Sequence, residues 1–287
     1  MPIEIKDVSK SFKNTIALSD ISLQLEDTGI YGLLGNNGAG KTTLFNILTN
    51  RLYADRGDVL VNGEAVLEND RILGEIYMMG EENFYPSDMK VNKAFDATKI
   101  FYPAFDKDYA LLLAKQFGLD PRKKISKLST GYATIFKLII ALSVNTPYLL
   151  LDEPVLGLDA QHRDMFYKLL IAKYAQNPFM VVISTHLIQE VSDIIEHTII
   201  IKDGRIVKNA PTEELLMSCC TISGPADQVD AFVAGLKVIN QTSIGKFKTA
   251  CVEDLPQDIK IPCDLEVGKL NMQDYFINMM NKEEAKQ

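Results

Sequence analysis

Lys41 and Thr42 close the stretch Gly35-Asn36-Asn37-Gly38-Ala39-Gly40-Lys41-Thr42, with Thr43 next in line. The spelling fits G-x-x-x-x-G-K-[ST], a loop whose backbone cradles phosphates. A triphosphate needs several N–H groups converging on its oxygens, and glycine lets the backbone curl in without a Cβ in the way. Lys41 is placed to reach the β- and γ-phosphates, and the Thr42 hydroxyl to ligate Mg²⁺. A second pair, Asp152-Glu153, follows the apolar run Tyr148–Leu151. Asp152 suits a metal, bound directly or through water. Glu153 can orient or deprotonate a water attacking the γ-phosphate.

The elements that must position these groups are legible around them. Ile30–Leu34 reads as a strand buried on both faces, and a helix is expected from about Lys41 to Leu52. That helix would add unpaired N–H groups and the positive end of its dipole to the loop. Tyr148–Leu151 reads as another buried strand with Asp152 at its tip, where open α/β sheets bind ligands. Before the loop, Ile3–Phe12 and Ile21–Leu25 alternate as half-buried strands, and Asn62-Gly63 marks a hairpin. From Met89 to Leu119 the pattern turns helical and rich in aromatics, among them Phe95, Phe101, Tyr102, Phe105, Tyr109 and Phe117. A helix is expected from near Gly131 to Pro147, another over His162–Ala175, and a third over Leu187–Ile195. Phe179–Ile183 reads as a buried strand, and Lys202–Arg205 as a hairpin turn between Thr198–Ile201 and Ile206-Val207. Strands alternating with helices imply an α/β fold with a mostly parallel sheet covered on both faces. After about Ser218 the elements shorten, which reads as a small α+β appendage of about 70 residues.

Composition sets the outer limits. The chain has 287 residues, 47% apolar and 24% charged, enough for a sizeable core. No apolar run approaches the roughly 20 residues of a membrane span, and the first ten residues lack a signal-peptide core. A cytosolic chain is therefore expected. The net charge of −8 argues against a dedicated nucleic-acid binder. The four cysteines, Cys219, Cys220, Cys251 and Cys263, form no C-x-x-C pair, so reduced thiols rather than a zinc site are expected.

The two pairs resemble the Walker A and Walker B elements of ABC-type ATPases, and the remaining markers of that family follow in order. Leu128-Ser129-Thr130-Gly131-Tyr132 resembles its signature and opens a helix. Gly157-Leu158-Asp159 resembles its D-loop. His186, after Ser184-Thr185, matches its switch histidine, and Phe12 falls where the family stacks an aromatic on adenine. The resemblance covers about residues 2–216. It implies a P-loop NTPase of ABC type over 1–216, with an antiparallel β subdomain and a helical subdomain at about 85–145. Residues 217–287 would form an accessory domain. The cofactors implied are ATP and Mg²⁺. Glu153 and His186 would be catalytic, and Thr42, Asp152 and Glu81 would hold the metal. Phe12, the loop residues 35–43, Ser129, Thr130, Gly131 and Asp159 would bind nucleotide. In this family Ser129 and Gly131 face the γ-phosphate held by the other subunit of a head-to-tail dimer.

Two departures stand out. Thr130 and Tyr132 replace the usual Gly and Gln of the signature, and Glu81, in Met79-Gly80-Glu81-Glu82-Asn83, stands where the family has a Gln. A carboxylate there can ligate Mg²⁺ but adds negative charge near a triphosphate.

The stretches 128–138 and 152–160, with Met272–Phe276, resemble bacterial drug and antimicrobial-peptide export ATPases of the bacitracin-resistance type. That resemblance implies an exporter subunit needing a separate membrane permease and a second ATPase subunit, identical or not. Such a chain would lie at the inner face of the cell membrane. The aromatic segment Phe84–Phe105 would then meet the permease, or serve as plain helical core, or both. A soluble ABC ATPase acting on ribosomes or DNA is the alternative, although such relatives carry two fused nucleotide domains or a long coiled coil. A GTPase reading fails at Asn92-Lys93, which lacks the Asp two residues on. The sequence pattern assigns no role to His162 or His197, and Arg122, Lys123, Lys124 and Lys127 read as a solvated loop.

Overall fold

The computed structural model describes residues 2–256 and 258–281. Two compact units divide the chain, Met1–His186 with Ile201–Val207 and Leu187–Ile200 with Lys208–Gln287. The expected boundary at 216 falls inside the second unit.

In the first unit the elements run β1 (Ile3–Phe12), β2 (Thr15–Leu25), β3 (Gly29–Leu34), α1 (Lys41–Leu48), β4 (Arg56–Val61), β5 (Glu64–Ala65), α2 (Asp70–Leu73) and β6 (Ile76–Met79). They continue with α3 (Val91–Phe101), α4 (Lys107–Gln116), α5 (Thr130–Ser143), β7 (Tyr148–Asp152), α6 (Ala160–Gln176) and β8 (Met180–Thr185). Two sheets result. The first is antiparallel in the order β2-β1-β4-β5. Its two longer strands alternate buried and exposed residues, as a sheet wetted on one face should. Asn62 and Gly63, both at positive φ, make the tight turn that the Asn-Gly pair announces.

The second sheet places β3, β8, β7 and β6 side by side, all parallel. Every residue of β3, β7 and β8 is buried. Continuous apolar runs were the right signal, because helices cover a parallel sheet on both faces. In register, Leu34 lies beside Thr185 and Asp152 beside Ser184. The three C-terminal strand ends therefore emerge together, which brings the phosphate loop, Asp152-Glu153 and His186 to one edge. The hairpin Ile201–Val207 comes close to the loop, with the Gly204 N–H donating to Ala39 O at 3.1 Å.

α3, α4 and α5 form a helical layer around Phe95, Phe105, Phe117 and Phe136, all fully buried. The Phe95 ring lies 6.0 Å from those of both Phe105 and Phe136. Most of the aromatic segment is thus core. Phe84, Ile100 and Phe101 are its exposed exceptions.

The second unit contains α7 (Ile188–Val191), α8 (Thr212–Met217), α9 (Ala226–Val233) and α10 (Met272–Met280). Its strands are β11 (Cys219–Pro225), β12 (Lys237–Ile244), β13 (Phe247–Glu253) and β14 (Glu266–Lys269). β9 (His197–Lys202) and β10 (Arg205–Pro211) are shared between the units. An antiparallel sheet in the order β12-β13-β11-β14 packs one face on α9 through Ile222, Val229, Val233, Ala250 and Val252. Tyr275 of α10 is fully buried. The α+β appendage is therefore a four-stranded sheet with helices.

Several bounds differ from expectation. α1 stops at Leu48, because Asn50 takes the left-handed conformation and the Thr49 hydroxyl bonds back to Phe45 O at 2.9 Å. α5 ends at Ser143, short of Pro147, with left-handed Asn145 breaking it. The helix expected over Leu187–Ile195 is the single turn α7, where the Ser192 hydroxyl engages Gln189 O and Asp193 Oδ1. β6 was not foreseen. Its four residues are too few to show a period.

Candidate active site

Gly35 and Gly40 shape the loop between β3 and α1 through close approach. A Cβ on Gly35 would lie 2.5 Å from Ile201 O, and one on Gly40 would lie 2.6 Å from Ala17 O. Gly40 also has φ of 108°, a conformation side chains disfavour. Gly38, at φ of 83°, has nothing within 4 Å of an added Cβ. The loop backbone is fixed at its ends and open at its middle, as a cradle for an outside ligand must be. Lys41 is buried, and its ammonium donates to Gly35 O at 2.7 Å and Asn36 O at 3.2 Å. Burial lowers its pKa, while the Glu153 and Asp152 carboxylates oppose that shift.

Asp152 sits at the tip of β7 and accepts two hydrogen bonds. Thr42 Oγ1 donates to Oδ2 at 2.6 Å and Ser184 Oγ to Oδ1 at 2.8 Å. Burial raises its pKa, and the two hydroxyls counter this in part. Glu153 follows at φ of 47°, off the strand and in the left-handed region. Its Oε2 accepts from Thr185 Oγ1 at 3.0 Å, and its Oε1 accepts from the His186 N–H at 3.1 Å. His186 Nδ1 lies 2.8 Å from the same Oε1, and Lys41 Nζ lies 3.9 Å away. Phosphate loop, carboxylates and histidine thus form one connected cluster across three strands.

Ser184 and Thr185, in sequence only the neighbours of His186, hold both carboxylates. Hydroxyl residues ending a fully apolar strand were the available signal.

A cavity of about 270 Å³ opens over the loop, lined by Asn37, Gly38, Lys41, Thr42, Thr43, Asp152, Glu153 and Glu81. A larger one of about 500 Å³ is lined by Phe12, Thr42, Asn46, Arg51, Phe84, Glu81 and Asp152. Phe12 stands at the end of β1, half exposed, with the Lys10 ammonium 5.6 Å from its ring centroid. Its free face and its place beside Thr42 suit stacking on a flat heterocycle. Thr42, Asp152 and Glu81 offer oxygen donors around one space, the donor type that a hard divalent cation takes together with phosphate oxygens. Glu153, oriented by three hydrogen bonds, can accept a proton from water beside a bound phosphate.

The signature residues lie apart from this cavity. Ser129 caps α5, accepting from the Tyr132 N–H at 3.4 Å, and Ser129 and Thr130 are exposed. Gly131 sits beside Gly157, whose carbonyl would be 3.4 Å from an added Cβ. Asp159 caps α6 and accepts from the His162 N–H at 2.9 Å, a bond that depresses its pKa. His162, assigned no role by the sequence pattern, also places Nδ1 2.8 Å from the Asp159 carboxylate and stacks on Phe117.

The sequence profile of the ABC transporter family matches residues 18–156. The "ABC transporter ATP-binding protein YtrB" of Bacillus subtilis is 28% identical over 213 residues, 74% of this chain and 73% of that protein. The "Putative ABC transporter ATP-binding protein AlbC" of Bacillus subtilis is 30% identical over 225 residues, 74% of this chain and 92% of that protein. Among solved structures, a dimeric ATP-binding cassette in a post-hydrolysis state, bound to ADP and Pi, superposes with a TM-score of 0.65. It is 21% identical, and the match covers 73% of this chain and 98% of that one.

Proposed function

The chain belongs to the ABC transporter ATP-binding family, and from that membership we propose that it is the ATP-hydrolysing subunit of an exporter whose membrane permease is a separate polypeptide. The observation that carries the catalytic reading is the Glu153 carboxylate, held by Thr185 and His186 with its Oε1 3.9 Å from Lys41 Nζ. A base fixed beside a phosphate-binding ammonium has the geometry that water attack on a γ-phosphate requires.

In the mechanism we infer, Phe12 stacks on the adenine while the backbone of residues 35–43 wraps the phosphates. Lys41 leaves its carbonyl partners for the β- and γ-phosphate oxygens. Thr42, Asp152 and Glu81 are the residues that would hold Mg²⁺, which supplies charge neutralisation when bound. Glu153 orients the attacking water and takes its proton. His186, pinned by Glu153, holds the γ-phosphate side of the site.

Ser129, Thr130, Gly131 and Asp159 complete the partner subunit's site in a head-to-tail dimer. The exposure of Ser129, Thr130 and Asp159 at helix starts away from their own loop supports this assignment. ATP then joins two subunits, identical or not, and hydrolysis lets them part.

Exposed Phe84, Ile100 and Phe101 are the surface we assign to the permease. Among the described residues no helix is long and apolar enough to cross a membrane. The proposed location is the inner face of the cell membrane, held there by the permease. Export rests on the sequence resemblance at 128–138 and 152–160. Nucleotide chemistry is assigned to residues 1–216, and an accessory role to 217–287.

The test is to trap the Glu153→Gln variant with ATP in its native cell, solubilise gently and identify what co-purifies. A stoichiometric multi-span membrane protein supports the proposal. Ribosomes or nucleic acid in its place overturn it.

A further inference from the structure

α5 is a largely apolar helix that carries one charged side chain, the partly buried Lys137. Ile135, Phe136, Leu138, Ile139 and Ile140 are buried, and Lys137 lies among them. Its ammonium leaves the helix to donate to two successive backbone carbonyls, Gly80 O at 2.8 Å and Glu81 O at 2.9 Å. These carbonyls belong to the loop that leaves β6, against which α5 packs. Burial lowers the Lys137 pKa and the Glu81 carboxylate raises it in turn. Even partial burial strips hydration from an ammonium, and the two carbonyls replace it here.

What the lysine joins explains its presence. Glu81 lines the cavities of the phosphate loop. At the other end of the joint, α5 begins at Ser129, the N-cap whose exposed turn also holds Thr130 and Gly131. A side chain holding two adjacent carbonyls fixes both position and direction of the peptide between them. A shift of the loop toward a bound phosphate therefore pulls on α5 through this side chain or loosens its two bonds.

We propose that Lys137 is a positioning residue that ties the Glu81 loop to the Ser129 helix, so that nucleotide at the phosphate loop sets the placement of the exposed signature turn. This rests on the ATPase reading above. The linkage depends on a cationic donor at position 137 and not on the helix fold as such.

Amide hydrogen exchange on the full chain, with Mg²⁺ and a non-hydrolysable ATP analogue, reads the linkage directly. In the wild type the analogue slows exchange in peptides spanning 80–82 and in those spanning 129–133. In Lys137→Met the first response persists and the second disappears. In steady state the same variant loses at least about tenfold in kcat with KM within about twofold, and Lys137→Arg, whose fork can serve both carbonyls, recovers most of the rate. If Lys137→Met lacks a cooperative melt, Lys137→Gln carries the same comparison. A variant in which both peptides respond as in the wild type overturns the proposal and leaves the ATPase reading standing. A wild type that does not bind the analogue overturns that reading first, and the linkage with it.

Discussion

Thr42 Oγ1 donates to Asp152 Oδ2 across 2.6 Å, although 110 positions separate them in the chain. The bond ties the first turn of α1 to the tip of β7, and in the proposed mechanism both oxygens hold one cation. Thr42→Val keeps the shape and removes the hydroxyl. Turnover should fall at least about a hundredfold, and Mg²⁺ should no longer tighten ATP binding. Titrating ATP with and without Mg²⁺ measures this; a Mg²⁺ effect equal to the wild type's would remove Thr42 from the metal site.

Asp152 carries a stability cost at neutral pH. Burial raises its native pKa above the ordinary carboxylate value of 3.8, so the folded chain holds this proton more readily than the unfolded one. The stability contributed by the neutral form is therefore lost as pH rises from about 3.8 through the native value. Asp152→Asn should melt about 2 °C higher than the wild type at pH 7, with the difference closing toward pH 4. Hydrolysis should be lost throughout. Thermal melts at the two pH values decide it, and a variant that melts lower at pH 7 contradicts the argument.

Glu153→Gln retains most hydrogen-bonding capacity and loses the base. ATP affinity should stay within about threefold, while kcat falls by about 10²–10⁴. Single-turnover kinetics separates chemistry from product release. Wild-type turnover in this variant would falsify the assignment of Glu153 as base.

Glu81 faces the same cavity as Asp152 and Glu153, so three carboxylates surround the phosphate site. Glu81→Gln should tighten ATP binding without Mg²⁺ by about threefold, a small effect because Glu81 is exposed and screened. Binding of MgATP should change less. Equal shifts with and without the metal would separate Glu81 from the cation.

In the second unit, Glu253 is buried and paired with Lys208 and with Lys237, whose Nζ lies 2.8 Å from Oε2. Burial pushes its pKa up, but the two lysines outweigh burial and hold it below 4.5. Its stabilisation is present above 4.5 and lost as pH falls through the lower native value. Glu253→Gln should cost about 1–3 kcal/mol at pH 7 and progressively less in acid. Denaturant unfolding at the two pH values measures the difference.

The sequence showed the phosphate loop because glycine spacing is a backbone requirement written in residue types. It showed β3, β7 and β8 because strands covered on both faces are apolar throughout. It hid β6 and α2, four residues each, too short for any period. The signal for Ser184 and Thr185 was local, two hydroxyl residues closing an apolar strand. Lys137 offered no such signal, because its partners lie 57 and 56 positions away and are backbone atoms that no side-chain pattern can announce. The short reach of α7 was lost to Ser192, whose hydroxyl competes for helix hydrogen bonds.

Glu153 also has a bearing on how such chains decay. At φ of 47° a glutamate carries a backbone cost of about 1 kcal/mol that Gly or Asn avoids. A copy released from the need to hydrolyse ATP would gain stability by drifting to either residue while keeping every nucleotide contact of Lys41 and Thr42. Under the proposed mechanism, the residue at this one position records whether a lineage still turns over its nucleotide or only holds it.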